Sequence, residues 1–264
     1  MKKYELTNET INIESRVLYR IKSLKNFDEV KVGDVGGFVE SEDNLSHEDN
    51  AWVYDNAIVY GDARVYDNAG IYGTARVSDN AKIFHNATVY GNAKVYGHAE
   101  VYDNAEIYGN TEVYDNACVF GDACVYDNAK VYGNADVYGT ARVSDNAKIF
   151  RNATVYGNAK VYGHAEVVGN AKIGDNAEVS SNADYICIKG LGSCNRNTTF
   201  YKTKDDASVV CGCFHGTLME FIKKVKETHF DTLYAREYLA AAEVVKIHFK
   251  IQEKVIQNSK KKND

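Results

Sequence analysis

An aliphatic residue recurs at every sixth position from Val53 to Val179, 22 positions without a gap, each of them Val or Ile. Two residues before each stands Ala, from Ala51 to Ala177, with Thr111 as the one exception. The intervening residue is usually polar or charged, as at Arg64, Lys82, Lys94, Glu100 and Glu106, and the residue that follows is usually Tyr. In an extended chain, residues two apart point to the same side, so Ala and the aliphatic face inward and their neighbours face outward. The Gly/Asp-Asn pair that completes the unit tolerates the left-handed conformations a corner needs. Each unit therefore predicts a short strand and a bend of fixed size. Recurring β-branched residues, with Gly or Asn in every unit, exclude a long helix. One turn of such a coil buries too little apolar surface to offset its conformational entropy, so neighbouring coils and end caps are obligatory.

This unit resembles the hexapeptide repeat of left-handed parallel β-helices, in which an aliphatic residue follows a small one by two places. In that family three units close one triangular coil of 18 residues, which for 22 units gives a little over seven coils. The expected fold class is mainly β: a left-handed parallel β-helix (hexapeptide-repeat solenoid) with a small α+β C-terminal module. The divisions are an N-terminal cap with degenerate repeats over 1–50, the solenoid over 51–184, and the module over 185–264, ending in a long helix.

The ends break the period. Val39 and Leu45 fall in the alanine register, which predicts one or two degenerate units before Ala51. Val17–Ile21 and Val30–Val35 read as short strands, with Gly33, Gly36 and Gly37 as bends. After the solenoid, Tyr185–Ile188, Thr198–Thr203 and Ser208–Phe214 read as strands, separated by turns over Gly190–Asn197 and 204–206. Thr217-Leu218-Met219-Glu220 is a capping box, and Leu218, Phe221, Ile222 and Val225 lie at helical spacing. A second helix is expected over Thr232–Gln257, with Tyr234, Tyr238, Leu239, Ala242, Val245 and Phe249 on its apolar stripe and Lys260-Lys261-Lys262 as a frayed end.

Charge is uneven. From Tyr185 onward there are 14 Lys/Arg against 9 Asp/Glu, a surplus of +5 within a chain of net charge −6, so residues 1–184 carry −11. An acidic body repels nucleic acid and anionic membranes. No apolar run approaches the roughly 20 residues that cross a bilayer. No apolar signal segment follows Met1, so a cytoplasmic protein is expected. The six cysteines then read as free thiols.

Gly36-Gly37-Phe38-Val39-Glu40, Asn44-Leu45-Ser46-His47-Glu48 and the repeat resemble hexapeptide-repeat proteins of phages, prophages and enterobacteria, described as polymer-forming or acyltransferase-like (YdcK-like). Thr198-Thr199-Phe200-Tyr201, Cys211-Gly212-Cys213-Phe214 and Gly216-Thr217-Leu218 resemble a C-terminal module of phage proteins. The resemblance implies a phage context and a homo-oligomer, with a trimer favoured. If phage-encoded, the protein would act in the host cytoplasm. No activity comes with it.

The β-helix is also the fold of acyltransferases that use acetyl-CoA at subunit boundaries, with a histidine as general base. The candidates here are His85, His98 and His164, all in corner slots. Those enzymes interrupt the repeat with a loop, and this run has none. Tyr72–Val101 and Tyr138–Val167 are the same 30-residue segment, apart from His85 against Arg151. The shift of 66 residues is not a multiple of 18, so the copies fall on different faces. A catalytic site built on one face would not survive that rotation.

Outward aromatics fall 18 apart on all three faces. Tyr54, Tyr72, Tyr90, Tyr108 and Tyr126 form one column, Tyr96, Tyr114, Tyr132 and Phe150 a second, and Tyr66, Phe84, Tyr102, Phe120, Tyr138 and Tyr156 the third. Each can stack on itself or serve as a subunit or partner interface, with the Tyr54 column as the candidate. Cys118 and Cys124 take outward slots as bare surface thiols.

In the module, Gly190-Leu191-Gly192-Ser193 resembles a phosphate-binding loop but lacks the following Lys-Ser/Thr. Arg196, Thr198, Thr199 and Lys202 add donors nearby. Cys211 and Cys213 are read on one strand, facing one side. With Cys194 and His215 they have the ligand types of a Cys3His zinc site, but C-x-C is not the usual pair, and neither metal nor cofactor is expected. Arg196, Thr198, Thr199, Lys202, Cys211, Cys213 and His215 are the candidate residues for a small anion or a host protein. The expected function is a non-catalytic phage-type binding or scaffold protein with a C-terminal docking module. The alternatives are an acyltransferase, a counter-defence protein that sequesters a nucleotide signal or blocks a host protein, and a self-assembling filament.

Overall fold

Every sixth residue from Asp55 to Asp175 has a positive φ, between 51° and 78°, and is Gly, Asp, His85 or Arg151. These corners turn the chain through the three sides of a coil in the computed structural model, which describes residues 2–203 and 206–251. Between corners lie 22 short strands, Trp52–Val53 through Glu178–Val179. They are arranged in three parallel sheets, and each strand pairs with the one 18 residues away, as Glu106 does with Cys124 and Ile107 with Val125. The chain thus forms a mainly β, parallel solenoid of about eight turns at 18-residue spacing, the architecture expected from the repeat and the family it resembles. Its interior is the Ala and Val/Ile columns, fully buried at nearly every position. Thr111 fits the alanine column because its hydroxyl donates to the Tyr108 carbonyl at 2.7 Å.

Polar groups are satisfied by copies of themselves. Asn110 donates to Asn128 at 3.2 Å, and Asn134 to Asn152 at 3.1 Å. Corner aspartates take the corner amide of the next coil, as Asp55 takes Gly73 N at 2.9 Å and Asp115 takes Gly133 N at 3.2 Å. Outward charges pair between coils, Lys82 with Glu100 at 2.7 Å and Lys148 with Glu166 at 2.8 Å. Each exposed pair contributes little, because water and salt screen it. The hydrogen-bond ladder and the buried columns carry the fold.

The N-terminal cap differs from its prediction. A hairpin of β1 (Tyr4–Ile13) and β2 (Arg16–Ser23) leads to β3 (Val35–Val39), which joins the first parallel sheet. β1 was not legible, because its sequence is largely polar and only Tyr4 among its residues is buried. Val30–Val35 is no strand. Only Val35 enters β3, and Val30 makes an isolated bridge to Phe27. Gly36 and Gly37 are not bends but lie inside β3, where a Cβ would stand 2.5 Å from Val53 O and 2.4 Å from Ala57 O. They are small because the next coil's backbone passes that close. Val39 and Leu45 pair with Val59 and Val65, so they hold the aliphatic register, not the alanine one. The offset is two extra residues between Leu45 and Asn50, where the cap is pinned: Tyr4 OH donates to Leu45 O at 2.8 Å and Lys3 Nζ to Ala51 O at 2.7 Å. Burial, and then Lys25, pushes the Lys3 ammonium down to about 8. Both ends carry a one-turn helix with a capping box, Glu42–Asn44 behind Ser41 and Asn182–Asp184 behind Ser181.

The chain divides into two compact units between Tyr185 and Ile186. Tyr185 OH donates to Glu166 O at 2.8 Å, within the first unit. The second unit has a four-stranded sheet of β4 (Tyr185–Leu191), β5 (Arg196–Lys202), β6 (Ala207–Cys211) and β7 (Phe214–Thr217), in that order. Against it pack α1 (Leu218–His229), opened by the Thr217 and Glu220 capping box, and α2 (Leu233–Phe249). The strand expected over Ser208–Phe214 is two strands, folded at Gly212-Cys213 where Gly212 has a φ of 60°. Cys211 and Cys213 therefore do not share a strand: Cys211 is buried and Cys213 exposed. α2 stops at Phe249, with Lys250 in the left-handed region, eight residues before the expected end. Gln252–Gln257, Lys260–Lys262 and the turn residues Lys204 and Asp205 lie outside the described residues. Tyr234 is exposed and does not join the stripe that buries Tyr238, Ala242, Val245 and Phe249.

Candidate functional site

Two tight turns of the second unit meet a helix face and leave a cleft of about 250 Å³ between them. The first turn follows β4. Gly192 has a φ of 69°, and a Cβ there would sit 2.2 Å from the Tyr238 hydroxyl. Without that Cβ, Tyr238 OH reaches the Leu191 carbonyl at 3.3 Å, and Gly192 N donates to Glu237 at 3.0 Å. The second turn is Gly212-Cys213. A Cβ on Gly212 would stand 1.7 Å from an Arg196 guanidinium nitrogen, so Arg196 lies flat across this turn. From α1, Phe221, Lys224, Val225, Thr228 and His229 form the facing wall.

The cleft has an apolar floor of Phe214, Phe221, Val225 and Tyr238, with cations from Arg196 and Lys224 on its lining. Hydrogen bonding from Ser193, and then Arg196, lowers the Cys194 thiol from its ordinary range. Burial, and then Cys211, pushes the Tyr238 hydroxyl up to about 12, which keeps it a neutral donor. Such a site can hold an anionic head on Arg196 and Lys224 with an apolar body against the aromatic floor.

Of the seven residues singled out in the module, Arg196, Cys211 and Cys213 line the cleft. Thr198 and Thr199 are buried structural hydroxyls, donating to Cys211 Sγ at 3.2 Å and to Cys187 Sγ at 3.6 Å. Lys202 is exposed and not part of the lining, and His215 Nε2 contacts Tyr201 OH at 3.3 Å. Among the described residues, no three His, Cys, Asp or Glu side chains group as a metal site. Lys224, Thr228 and His229 escaped sequence reasoning, and Tyr238 was read only as part of its helix's apolar stripe. The signal was present on α1, where Phe221, Val225 and Thr228 share a stripe.

On the solenoid, His85 holds a left-handed corner with its Nδ1 2.9 Å from Asp103 Oδ1. His98 and His164 are exposed asparagine-slot residues. The Tyr54 column is not one ladder. Tyr54 stacks on Tyr72 at 4.3 Å, and Tyr90, Tyr108 and Tyr126 stack at 4.8 and 5.0 Å, but among the described residues no stacking joins Tyr72 to Tyr90. Gly70 is the reason: the Tyr72 ring lies over it, where a Cβ would come within 2.4 Å of the ring. The Tyr66 column is continuous through Phe84, Tyr102, Phe120, Tyr138 and Tyr156. Cys118 and Cys124 are half-buried rather than bare, and burial pushes the Cys118 thiol up to about 11.

A family model described as YdcK Beta solenoid repeat matches residues 51–67. No curated protein matches the chain. The sequence period, the parallel three-sided coil and this match agree: the chain is a β-solenoid protein whose repeat is similar to that of YdcK.

Proposed function

We propose that the protein is a non-catalytic binding or scaffold protein of phage type, with the solenoid as framework and the cleft of the second unit as docking site. The observation that carries this reading is the cleft itself: Arg196 and Lys224 stand over an apolar, aromatic floor in the basic segment of an otherwise acidic chain. Its occupant is an acidic group with an apolar neighbour, from a small molecule or a host protein. The solenoid supports a framework role, because the run from Val53 to Val179 has no inserted loop and its histidines sit in corners. The half-buried aromatic columns support self-association, for which a trimer is the working stoichiometry.

Native mass spectrometry of the full chain with acetyl-CoA, together with an acyl-transfer assay, tests this. The expected result is an oligomer that retains no coenzyme and transfers no acyl group. Acyl transfer that is lost in His98→Ala or His164→Ala would overturn the reading and make the protein an acyltransferase. A bare monomer would remove the association part alone.

A further inference from the structure

Of the 19 rungs from Tyr54 to Tyr162, only those ending in Ser78 and Ser144 lack an outward aromatic ring. Ser144 stands between Tyr126 and Tyr162 in one parallel sheet, and the backbone ladder runs through it unbroken: Tyr126 N donates to Val143 O at 2.9 Å and Ser144 N to Val161 O at 3.0 Å. Only the ring is missing. Most adjacent rings elsewhere stack with centroids 4.8–5.0 Å apart, with extremes of 4.3 and 5.6 Å. Tyr126 and Tyr162, two rungs apart, therefore bracket a space of about 10 Å, twice the strand spacing. It forms a cavity of about 300 Å³ lined by both tyrosines, Ser144, Arg142 and Lys160.

We propose that this missing rung is a binding site for a planar aromatic anion, whose ring completes the stack between Tyr126 and Tyr162. An inserted ring would take the spacing the ladder already uses, with a π face on each side. The charge preference comes from the column beside the slot. Arg142 and Lys160 are like charges on adjacent rungs, and the other neighbour of Arg142 is Cys124, not a carboxylate. Lys160 is paired with Glu178 at 3.0 Å, whereas Arg142 has no ion pair among the described residues. Asp145, at the edge of the slot, accepts Gly163 N at 2.8 Å. Arg142 is thus the cation left for a ligand's acidic group.

The chain carries a built-in comparison. Tyr60, Arg76, Ser78, Lys94, Tyr96 and Glu112 repeat the set Tyr126, Arg142, Ser144, Lys160, Tyr162 and Glu178 after 66 residues. In the first copy Tyr60 packs on the Leu18, Phe38 and Ile58 cluster, and Arg16 lies 6.0 Å over its ring. The N-terminal hairpin lies in that sheet on the side of Tyr60 away from Ser78, and both serines are equally buried, so the two copies differ in the packing of Tyr60.

Calorimetric titration of the full chain with adenosine 5′-monophosphate, adenosine and inorganic phosphate tests the proposal. The nucleotide is expected to bind, adenosine more weakly, and phosphate alone not measurably. Ser144→Tyr fills the slot with the residue the repeat normally places there, so it should abolish binding without lowering the melting temperature. Arg142→Ala should weaken nucleotide binding about tenfold, the scale of one charge-assisted contact. Arg196→Ala should leave it unchanged, which separates this site from the cleft of the second unit. Absence of nucleotide binding at millimolar concentration, or binding that survives Ser144→Tyr, overturns the proposal.

Discussion

In the solenoid, Asn110 finds its partner in Asn128, Lys82 in Glu100 and Tyr114 in Tyr132, always 18 residues on. In the second unit, Thr198 finds Cys211, Gly192 finds Glu237 and Tyr238 finds Leu191, at separations with no common interval. The first unit satisfies its polar groups by translation, the second by particular encounters. A translational surface repeats one chemistry along its length and offers no unique place to a ligand. Singular chemistry enters where repetition fails: at the missing ring over Ser144, at the pinned cap around Lys3, and throughout the second unit. The lesson is that candidate sites in a solenoid are sought among exceptions to the repeat.

The comparison breaks most severely if one aliphatic rung is charged. Val119→Asp places a carboxylate between Val101 and Val137 in a fully buried column, with no partner within the coil. It should cost more than about 4 kcal/mol and abolish the solenoid's thermal transition in circular dichroism. Phe221→Ala, in the core of the second unit, should cost about 3–5 kcal/mol. Because its contacts lie inside that unit, it should lower one calorimetric transition and leave the solenoid's in place. A single transition that moves with either substitution would show that the units do not unfold separately.

Corner chemistry sharpens the comparison at smaller scale. Gly109 has a φ of 77°, and a Cβ would stand 2.7 Å from Asp127 O in the next coil. Gly109→Ala should cost about 1–3 kcal/mol. Asp115→Gly keeps the permissive backbone but loses the carboxylate that takes Gly133 N, and should cost about 1 kcal/mol. Equilibrium urea unfolding of both variants ranks them, and the reverse order would mean that the carboxylate, not the backbone, holds the corner.

The pH dependence separates cap from ladders. Lys3, lowered to about 8 by burial against an ordinary 10.5, binds fewer protons folded than unfolded between those values. Stability should therefore rise with pH across that window, and Lys3→Met should flatten the rise. Tyr90 and Tyr114, pushed up by burial to about 12 from 10.0, keep their protons in the folded state after the unfolded chain has lost them. Stability should then fall as pH rises above 10, with tyrosinate absorbance appearing together with unfolding. Tyrosinate absorbance rising while the fold persists would show that the ladder rings titrate as free surface groups.

The period of six made the inward columns legible, and the resemblance to hexapeptide repeats supplied the three-unit coil that says which strands pair. Gly36 and Gly37 were misread for a reason of the same kind: glycine allows a bend, but it also allows close approach, and only the position of the Val53 and Ala57 carbonyls distinguishes the two. Arg196 was found in the candidate site through its charge and loop position. Lys224, His229 and Tyr238 were not, because they come from helices that a local pattern cannot place against a turn.

By itself the sequence determined the repeating unit, its inward columns and its outward aromatic positions, and through the resemblance its 18-residue register, since in a repeat every long-range neighbour is a fixed interval away along the chain. Only the tertiary structure decided that the Gly212 turn separates Cys211 from Cys213, that Arg196 lies across that turn, that Tyr60 packs on the hairpin's cluster, and that a cavity forms at Ser144. Those outcomes depend on contacts between segments with no common period, and their geometry is set by packing rather than by spacing.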